Sequence, residues 1–155
     1  MPNRETHGWI GAGLGLTAGV ILSDNLPTEA RWIYSLAAGV GGTFGGVMPD
    51  VLEPAIHAHH RDVCHSVAAG SGLSLGGLGA ASSSAKELRG EAAGFRAMRL
   101  ALPEGDHRRT SMAAREFLIY ALLGFSAGFV AGYLSHLVAD AATPRGIPVV
   151  ARRVG

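Results

Sequence analysis

The distribution of charge is the feature of this sequence that most restricts its fold. Asp, Glu, Lys and Arg are absent from four runs, 8–23, 32–49, 66–85 and 117–139. An amphipathic helix on a soluble protein places polar residues on its outer face about once per turn, and these runs do not. Because each run approaches the ~20 residues needed to cross the hydrocarbon of a bilayer, the pattern predicts four transmembrane helices.

These runs define the expected architecture. We expect an all-α protein, a four-transmembrane-helix bundle with a polar loop or interfacial helix between helices 3 and 4. The whole chain, 1–155, has the length of a single domain, here a membrane-embedded helical one. The expected spans are about 8–23, 32–49, 64–85 and 117–140, and the polar connection is 86–116. A soluble all-helical domain with glycine-rich buried helices is the alternative.

Composition and short motifs further restrict the class of protein. The first run follows Arg4 as in a signal peptide, but no small-x-small cleavage site comes after it, so we expect an uncleaved first span. The single cysteine, Cys64, excludes an intramolecular disulfide. A formal net charge of +1 provides no field that would attract nucleic acid, so no nucleic-acid partner is expected.

Glycines spaced by four residues predict how the helices pack. They form two series, Gly11, Gly15 and Gly19 in the first run and Gly124, Gly128 and Gly132 in the last. Residues four apart share a helix face, and glycine there lets two backbones approach closely, which favours association in lipid. The same faces are candidates for pairing two copies of the chain. A nucleotide-binding loop is disfavoured, because "GAGLGLTAG" lacks the required glycine register.

The connection 86–116 contains twelve charged residues, of which seven are basic. Its first half is amphipathic, with apolar residues from Leu88 to Leu102 along one face and arginines nearby. This pattern is typical of a helix lying on the membrane surface against anionic headgroups. A solvated helix that caps the bundle fits the pattern equally well.

Four spans of alternating direction bring most of the histidines to one side of the membrane. His7 precedes the first span, residues 50–65 join the second and third, and His136 with Asp140 closes the fourth. His107 alone falls on the other side. The candidate carboxylates and histidines of the 50–65 joint are Asp50, Glu53, His57, His59, His60 and His65. Ionisable groups gathered at a membrane boundary indicate a functional site.

Metal binding is the chemistry that these residue types favour. His136 and Asp140 are four residues apart, so both project from one helix face, although an isolated pair of this kind is more often simply hydrogen-bonded. Imidazole and carboxylate together suit zinc, manganese or iron rather than calcium, and zinc is the expected ion. A catalytic centre uses three or more such ligands and leaves a position for water.

Four elements of the sequence resemble the YdjM-like family of small inner-membrane proteins, described as metal-dependent hydrolases. They are Thr-His at 6–7, Pro-Asp at 49–50, "HRDVCHS" at 60–66 and "GYLSHLVADAATPRGI" at 132–147. With the spans between them they cover nearly the whole chain. The resemblance implies a polar set of His7, Asp50, His60, Arg61, His65, His136 and Asp140.

The sequence departs from the family pattern at two positions. Leu52 stands where the family often has a second acid, so Glu53 is the candidate to replace it, as general base or as a further ligand. Cys64 stands where the family usually has Thr, and we interpret it as a small buried residue rather than a soft ligand.

Each candidate residue has an expected role. Arg61 would bind phosphate through its planar guanidinium, unless it reaches lipid headgroups instead. His60 is a ligand or holds a carboxylate that is one. The expected metal ligands are His7, Asp50, His60, His65, His136 and Asp140, and the expected catalytic residues are Glu53 and Arg61.

These observations predict a membrane-bound metal-dependent hydrolase that acts on a phosphoester or lipid-linked substrate through a metal-activated water. The alternatives are a metal or proton transport or binding protein, and a non-catalytic structural or assembly protein. We expect a multi-pass protein of a bacterial-type inner membrane. The connections 24–31 and 86–116 hold eight of the Lys and Arg residues and the opposite side holds five, so the positive-inside rule places the site outside the cytoplasm.

Overall fold

A computed structural model describes residues 4–52, 66 and 77–142 of the chain. These residues form four helices and no strand. The helices are α1 (Arg4–Leu22), α2 (Thr28–Leu52), α3 (Gly77–Ala101) and α4 (Arg108–Ala141). The predicted all-α class is therefore confirmed for the described part of the chain.

Helix α1 packs antiparallel against α2 through glycine. Gly11 lies against the carbonyl group of Gly42, and Gly19 lies against Ser35. Later residues of α1 therefore contact earlier residues of α2. A methyl group at either glycine would overlap backbone or side-chain atoms of α2. The absence of side chains here lets the two backbones touch, which is the close approach that glycine permits.

Helix α4 packs parallel to α2 in the same way. Gly124 lies against the carbonyl group of Tyr34, and Gly132 lies against that of Gly42. Gly42 therefore contacts α1 on one side and α4 on the other, which makes α2 the central helix of the three. The glycine spacing seen in the sequence corresponds to these interfaces.

Large apolar side chains lie on the outside of this three-helix core. Those with high exposure include Trp9, Leu14, Ile21, Trp32, Leu36, Phe44, Phe117, Leu118, Leu122 and Val138. In a soluble protein most such side chains fill the interior. Here glycine lines the contacts of α2 with α1 and α4, and the large side chains buried beside them include Tyr34, Tyr120 and Leu123. Small residues at the interfaces are typical of helices that pack in lipid.

Among the described residues, α4 is the one helix that is both long and apolar enough to cross a bilayer. The four-span bundle therefore stays a prediction for the other helices. The third expected span, 64–85, is described only at residue 66 and from Gly77 onward. α4 begins at Arg108, so the helix runs through residues 108–116 of the polar connection before it reaches the fourth expected span.

A buried carboxylate joins α3 to α4. Glu116 accepts hydrogen bonds from Arg96 at 3.2 Å and from Arg99 at 3.1 and 3.3 Å. The same two arginines also approach Glu29 in the first turn of α2, at 3.5 and 3.9 Å. Opposite charges that share hydrogen bonds in a partly buried site hold one another in a fixed geometry. α3 is thereby attached to α4 and to the start of α2.

Arg89 makes a similar attachment to the end of α1. Its guanidinium donates to the carbonyl oxygen of Leu22 at 3.3 Å and lies 5.7 Å from the ring centre of Tyr34. A cation at a helix C-terminus stabilises the partial negative charge of the last carbonyl groups. The arginines of α3 therefore contact the bundle, which supports the capping interpretation over a helix lying on headgroups.

A tight turn reverses the chain between α3 and α4. The carbonyl group of Pro103 accepts the N–H of Asp106 at 3.2 Å, and Gly105 adopts a φ of +88°, a value that favours glycine in a turn. Asp106 then accepts the backbone N–H of Arg108 at 2.8 Å and its side chain at 2.7 Å. These bonds lower the pKa of Asp106 to about 2.

The glycine contacts generate a prediction about stability. In Gly128→Ala the new methyl would overlap the carbonyl oxygen of Ala38, so we expect the free energy of unfolding to fall by about 1–3 kcal/mol. Gly90→Ala is the matched control, because a methyl there meets nothing within 4 Å and alanine is the better helix former by about 1 kcal/mol. Thermal unfolding in detergent measures both. Equal effects of the two changes would contradict close packing at Gly128.

Candidate metal centre

Three helix ends meet at one end of the bundle and bring four polar side chains together. His7 lies near the start of α1, Asp50 near the end of α2, and His136 with Asp140 near the end of α4. They meet because α1 runs antiparallel to α2 while α4 runs parallel to it. We call these four side chains the His/Asp cluster.

The cluster is compact. His7 Nε2 lies 3.6 Å from Asp140 Oδ1, and His136 Nε2 lies 3.5 Å from Asp140 Oδ2 and 3.8 Å from Asp50 Oδ1. The centres of the two imidazole rings are 3.9 Å apart. One ligand atom each from His7, Asp50 and His136 lies within 4.8 Å of the other two. Asp140 thus presents one oxygen to each histidine.

Burial raises the free energy of an unpaired charge in the His/Asp cluster. The side chains of His7, His136 and Asp140 are 3%, 0% and 2% exposed, whereas that of Asp50 is 27% exposed. Carboxylates removed from water are stable only when a proton or a cation neutralises them. The cluster is therefore a site for positive charge, and Asp50 is its accessible member.

The orientation of His136 follows from a contact with α2. Its Nδ1 lies 2.7 Å from the carbonyl oxygen of Gly46. A carbonyl oxygen only accepts, so this contact requires a proton on Nδ1, and whenever the ring is neutral its lone pair is on Nε2. That lone pair faces the carboxylates of Asp50 and Asp140. Repulsion between these groups is relieved when a proton or a cation lies between them.

The donor set fits a divalent cation. Zinc binds imidazole nitrogen and carboxylate oxygen at about 2.0–2.2 Å, so two ligands at neighbouring corners of a tetrahedron lie about 3.4 Å apart. The nitrogen–oxygen distances of 3.5, 3.6 and 3.8 Å in the cluster are close to that separation. Two imidazoles with two carboxylates suit zinc, with manganese and iron as further candidates.

A comparison with known families agrees with these observations. The model of the family described as "YdjM inner membrane protein" matches residues 1–151. The chain belongs to this family. The resemblance stated from the sequence is thereby confirmed, and the family description places its members in the inner membrane. No match was found among curated proteins or among solved structures.

For this YdjM family member, the structure describes four of the sequence-predicted ligands and brings all four together. Their role as ligands stays a prediction. The remaining candidates, Glu53, His60, Arg61 and His65, lie outside the described residues, as do His57, His59 and Cys64. His107 lies just before α4, at the opposite end of the bundle, with a side chain that is 94% exposed.

Sequence reasoning missed the backbone part of the site. The carbonyl group of Gly46 orients His136, and Pro49 lies fully buried inside α2, one residue before Asp50. The sequence signal for this part of the site was the pair Gly45 and Gly46 followed by Pro49 within one predicted helix. A proline in a helix interior lacks the N–H that would bond to the carbonyl group four residues earlier, which here is that of Gly45, next to Gly46.

Two substitutions of His136 separate its two nitrogen atoms. His136→Asn keeps an amide donor near the position of Nδ1 but removes the group at Nε2, whereas His136→Gln does the reverse. We expect both to lose zinc affinity by at least tenfold, because neither retains imidazole Nε2. Without metal, the Gln variant should be the less stable by about 1 kcal/mol, since it alone loses the hydrogen bond to Gly46.

Titration with zinc and thermal unfolding in the presence of a chelator measure the two effects. Zinc affinity equal to that of the wild type in both variants would remove His136 from the site. Equal unfolding temperatures of the two variants would show that the bond to Gly46 does not stabilise the fold.

Proposed function

We propose that this protein is a multi-pass, membrane-bound, metal-dependent hydrolase whose centre is the His/Asp cluster. The observation that supports it is the convergence of two imidazoles and two carboxylates, separated by 3.5–3.8 Å, from three helices. Burying such groups costs free energy, so a bundle that needed only a polar end would be more stable with uncharged residues there.

In this proposal the ligands of a single divalent ion come from His7, Asp50, His136 and Asp140, with zinc as the expected metal. Three of them would bind the ion, so that a fourth position stays open to water. Such an ion supplies Lewis acidity and lowers the pKa of a coordinated water toward ~7. The buried side chains of His7, His136 and Asp140 would orient the ion and shield it from bulk water. Asp50 lies on the accessible side, so the substrate approaches there. Glu53 and Arg61 keep their proposed roles as general base and phosphate-binding residue.

The proposed substrate is a phosphoester or a lipid-linked molecule. On α2, the charge-free stretch between Arg31 and Asp50 is about 28 Å long at ~1.5 Å per residue, close to the ~30 Å thickness of bilayer hydrocarbon. The cluster then lies at the depth of the headgroups. Exposed apolar side chains surround that end of the bundle, namely Trp9, Val51, Leu52 and Val138.

The outward apolar surface supports membrane spanning by α1 and α2 as well as α4. Leu14 and Ile21 on α1, and Leu36 and Phe44 on α2, are between 48% and 68% exposed. Burying that surface in lipid releases water from it, at about 25 cal/mol per Å² of apolar area. Each of these helices has glycine on its inner face, so its large side chains are directed to the bilayer.

The glycine packing favours hydrolysis over transport. Between the cluster and the buried Glu116 at the other end, the described helix contacts leave no room for a methyl group at Gly15, Gly42 or Gly128. Buried aromatic and aliphatic side chains such as Tyr34, Tyr120 and Leu123 lie beside these contacts. An ion path along that axis would need a polar channel lined by ionisable groups. A surface-accessible centre at one end requires no such path.

Bound metal is the first test of the proposal. We expect protein purified in detergent to contain about one zinc per chain by elemental analysis, and His136→Ala and Asp140→Ala to contain at least tenfold less. His107→Ala is the matched control and should keep the wild-type content, because His107 lies at the other end. Unchanged metal in both cluster variants would reject the centre and support a structural role for the cluster.

Hydrolysis is then measured on the metal-loaded protein with soluble phosphomonoesters and with lipid phosphoesters in mixed micelles. Loss of turnover in Asp50→Asn, with folding intact, is the expected result. A protein that binds zinc but hydrolyses neither class, while moving zinc into sealed vesicles, would support the transport alternative instead.

The proposed orientation places the cluster outside the cytoplasm. The end of the bundle that holds Glu116 and the α3–α4 turn belongs to the side with eight of the Lys and Arg residues, which the positive-inside rule assigns to the cytoplasm. An alkaline phosphatase fused after residue 155 should therefore be active in bacterial cells. An inactive phosphatase fusion, with a fluorescent green fluorescent protein fusion at the same point, would reverse the orientation.

A further inference from the structure

We propose that Arg89 and Lys86 bind the phosphate group of an anionic phospholipid at the end of the bundle opposite the His/Asp cluster. This site lies where α3 reaches the end of α1, and none of its residues belongs to the cluster. The inference therefore goes beyond the proposed hydrolase and does not depend on bound metal.

The first observation is that the charge of Arg89 has no carboxylate partner. Its neighbours on α3, Arg96 and Arg99, are paired with Glu116 and Glu29. Within the described part of the chain, no carboxylate forms an ion pair with the half-buried Arg89. Removing a cation from water without a counter-ion raises its free energy. A negative group from outside the protein would therefore stabilise Arg89.

The contacts of the Arg89 guanidinium leave one nitrogen atom for a ligand. Nη2 donates to the carbonyl oxygen of Leu22 at 3.3 Å, and Nε is buried. The guanidinium also lies 5.7 Å from the ring centre of the buried Tyr34, within the range of a cation–π contact. Nη1 is not buried and makes no hydrogen bond within the described residues. The guanidinium is thus held in place while Nη1 stays accessible.

A second cation lies one helical turn away. Lys86 precedes Arg89 by three residues on α3, and this spacing makes the two side chains neighbours on the helix surface. Lys86 is exposed and forms no ion pair or hydrogen bond within the described residues. The nearest acids along the helix, Glu87 and Glu91, are exposed and pair with neither cation. Two neighbouring positive charges without partners favour a ligand of net negative charge.

The depth of these two cations identifies the anion. α1 ends at Leu22, and the charged residues of the 24–31 connection follow directly, so Arg89 lies where the chain leaves the hydrocarbon. Trp32 at the same end is 66% exposed, as is typical of tryptophan at the headgroup level. Phosphate is the lipid anion at this depth, and arginine binds it through charge-assisted hydrogen bonds. Basic pockets between membrane helices bind anionic headgroups in this way.

Apolar side chains beside the cations favour a lipid over a free anion. Ile21 and Leu22 at the end of α1 are 68% and 48% exposed. Because Leu22 also provides the carbonyl group that Arg89 contacts, exposed apolar surface lies next to the guanidinium. A phospholipid bound there would place its phosphate on the cations and its acyl chains on these side chains. A zwitterionic headgroup would bring a second positive charge close to Lys86 and Arg89, so an anionic headgroup is preferred.

The experiment is native mass spectrometry of the protein in a neutral detergent, titrated with phosphatidylglycerol or with phosphatidylcholine. We expect the wild type to bind phosphatidylglycerol at least about tenfold more tightly than phosphatidylcholine. Arg89→Gln should weaken the binding of phosphatidylglycerol by at least about tenfold, because a hydrogen bond between charged groups is lost. Lys86→Gln should weaken it by about fivefold, the effect of one basic residue beside an anionic headgroup.

Arg108→Gln is the matched control. It removes the same charge from the same end of the bundle, but Arg108 follows the α3–α4 turn and is paired with Asp106 at 2.7 Å. Its affinity for phosphatidylglycerol should be that of the wild type. If Arg89→Gln does not fold, because Arg89 also contacts the end of α1, Lys86→Gln carries the test. Lys86 has no contact of this kind to lose.

Equal affinity of the wild type for the two lipids would overturn the inference. Unchanged binding of phosphatidylglycerol in both Arg89→Gln and Lys86→Gln would do the same, and so would an equal loss in Arg108→Gln, which would indicate a general attraction between charges. Displacement of phosphatidylglycerol by an equal concentration of inorganic phosphate would show that the site takes the free anion instead of a lipid. None of these outcomes involves zinc or hydrolysis, so the proposed metal centre is tested separately.

Discussion

Direct contact between helix backbones is the constraint on which this structure depends. Glycines of α1 and α4 lie against carbonyl groups of α2, with Gly42 touched from both sides. Where the helices touch through backbone there is no room for a side chain, and many large apolar side chains lie on the outer faces instead, where lipid can solvate them. The short separation of the helices also has a chemical effect. It brings the ends of three helices close enough for short side chains to reach a common point.

The two ends of the bundle neutralise their buried carboxylates differently. At one end Glu116 is paired with Arg96 and Arg99, whose charge is permanent. At the other end Asp50 and Asp140 face histidines, which are positive only when protonated. The first arrangement is complete within the protein and serves to attach α3. In the second, the proposed divalent cation would supply the positive charge. This difference is why we assign chemistry to one end and structure to the other.

Particular residues show how far sequence reasoning reaches. The four-residue spacing of His136 and Asp140 predicted a shared helix face, and alternation of the helices predicted that His7 and Asp50 would meet them. The charge-free run starts at Phe117, but α4 starts earlier, at Arg108. Charge limits where a helix can enter hydrocarbon, whereas backbone hydrogen bonds decide where it begins. The arginines of α3 were also ambiguous in sequence, because the same amphipathic face suits headgroups or a carboxylate on a neighbouring helix.

Charge-free runs and glycine spacing are properties of short stretches of sequence. The sequence alone was therefore enough to predict the helical class, the glycine interfaces and the end of the bundle at which the cluster lies. Packing decided the rest. That Asp140 lies between His7 and His136, and that Nδ1 of His136 rather than Nε2 meets Gly46, depends on the register of α2 against α4 over a separation of 90 residues. Register follows from which surfaces fit together, and a shift of one residue would turn each side chain by about 100° around its helix. No pattern within a single helix encodes that choice.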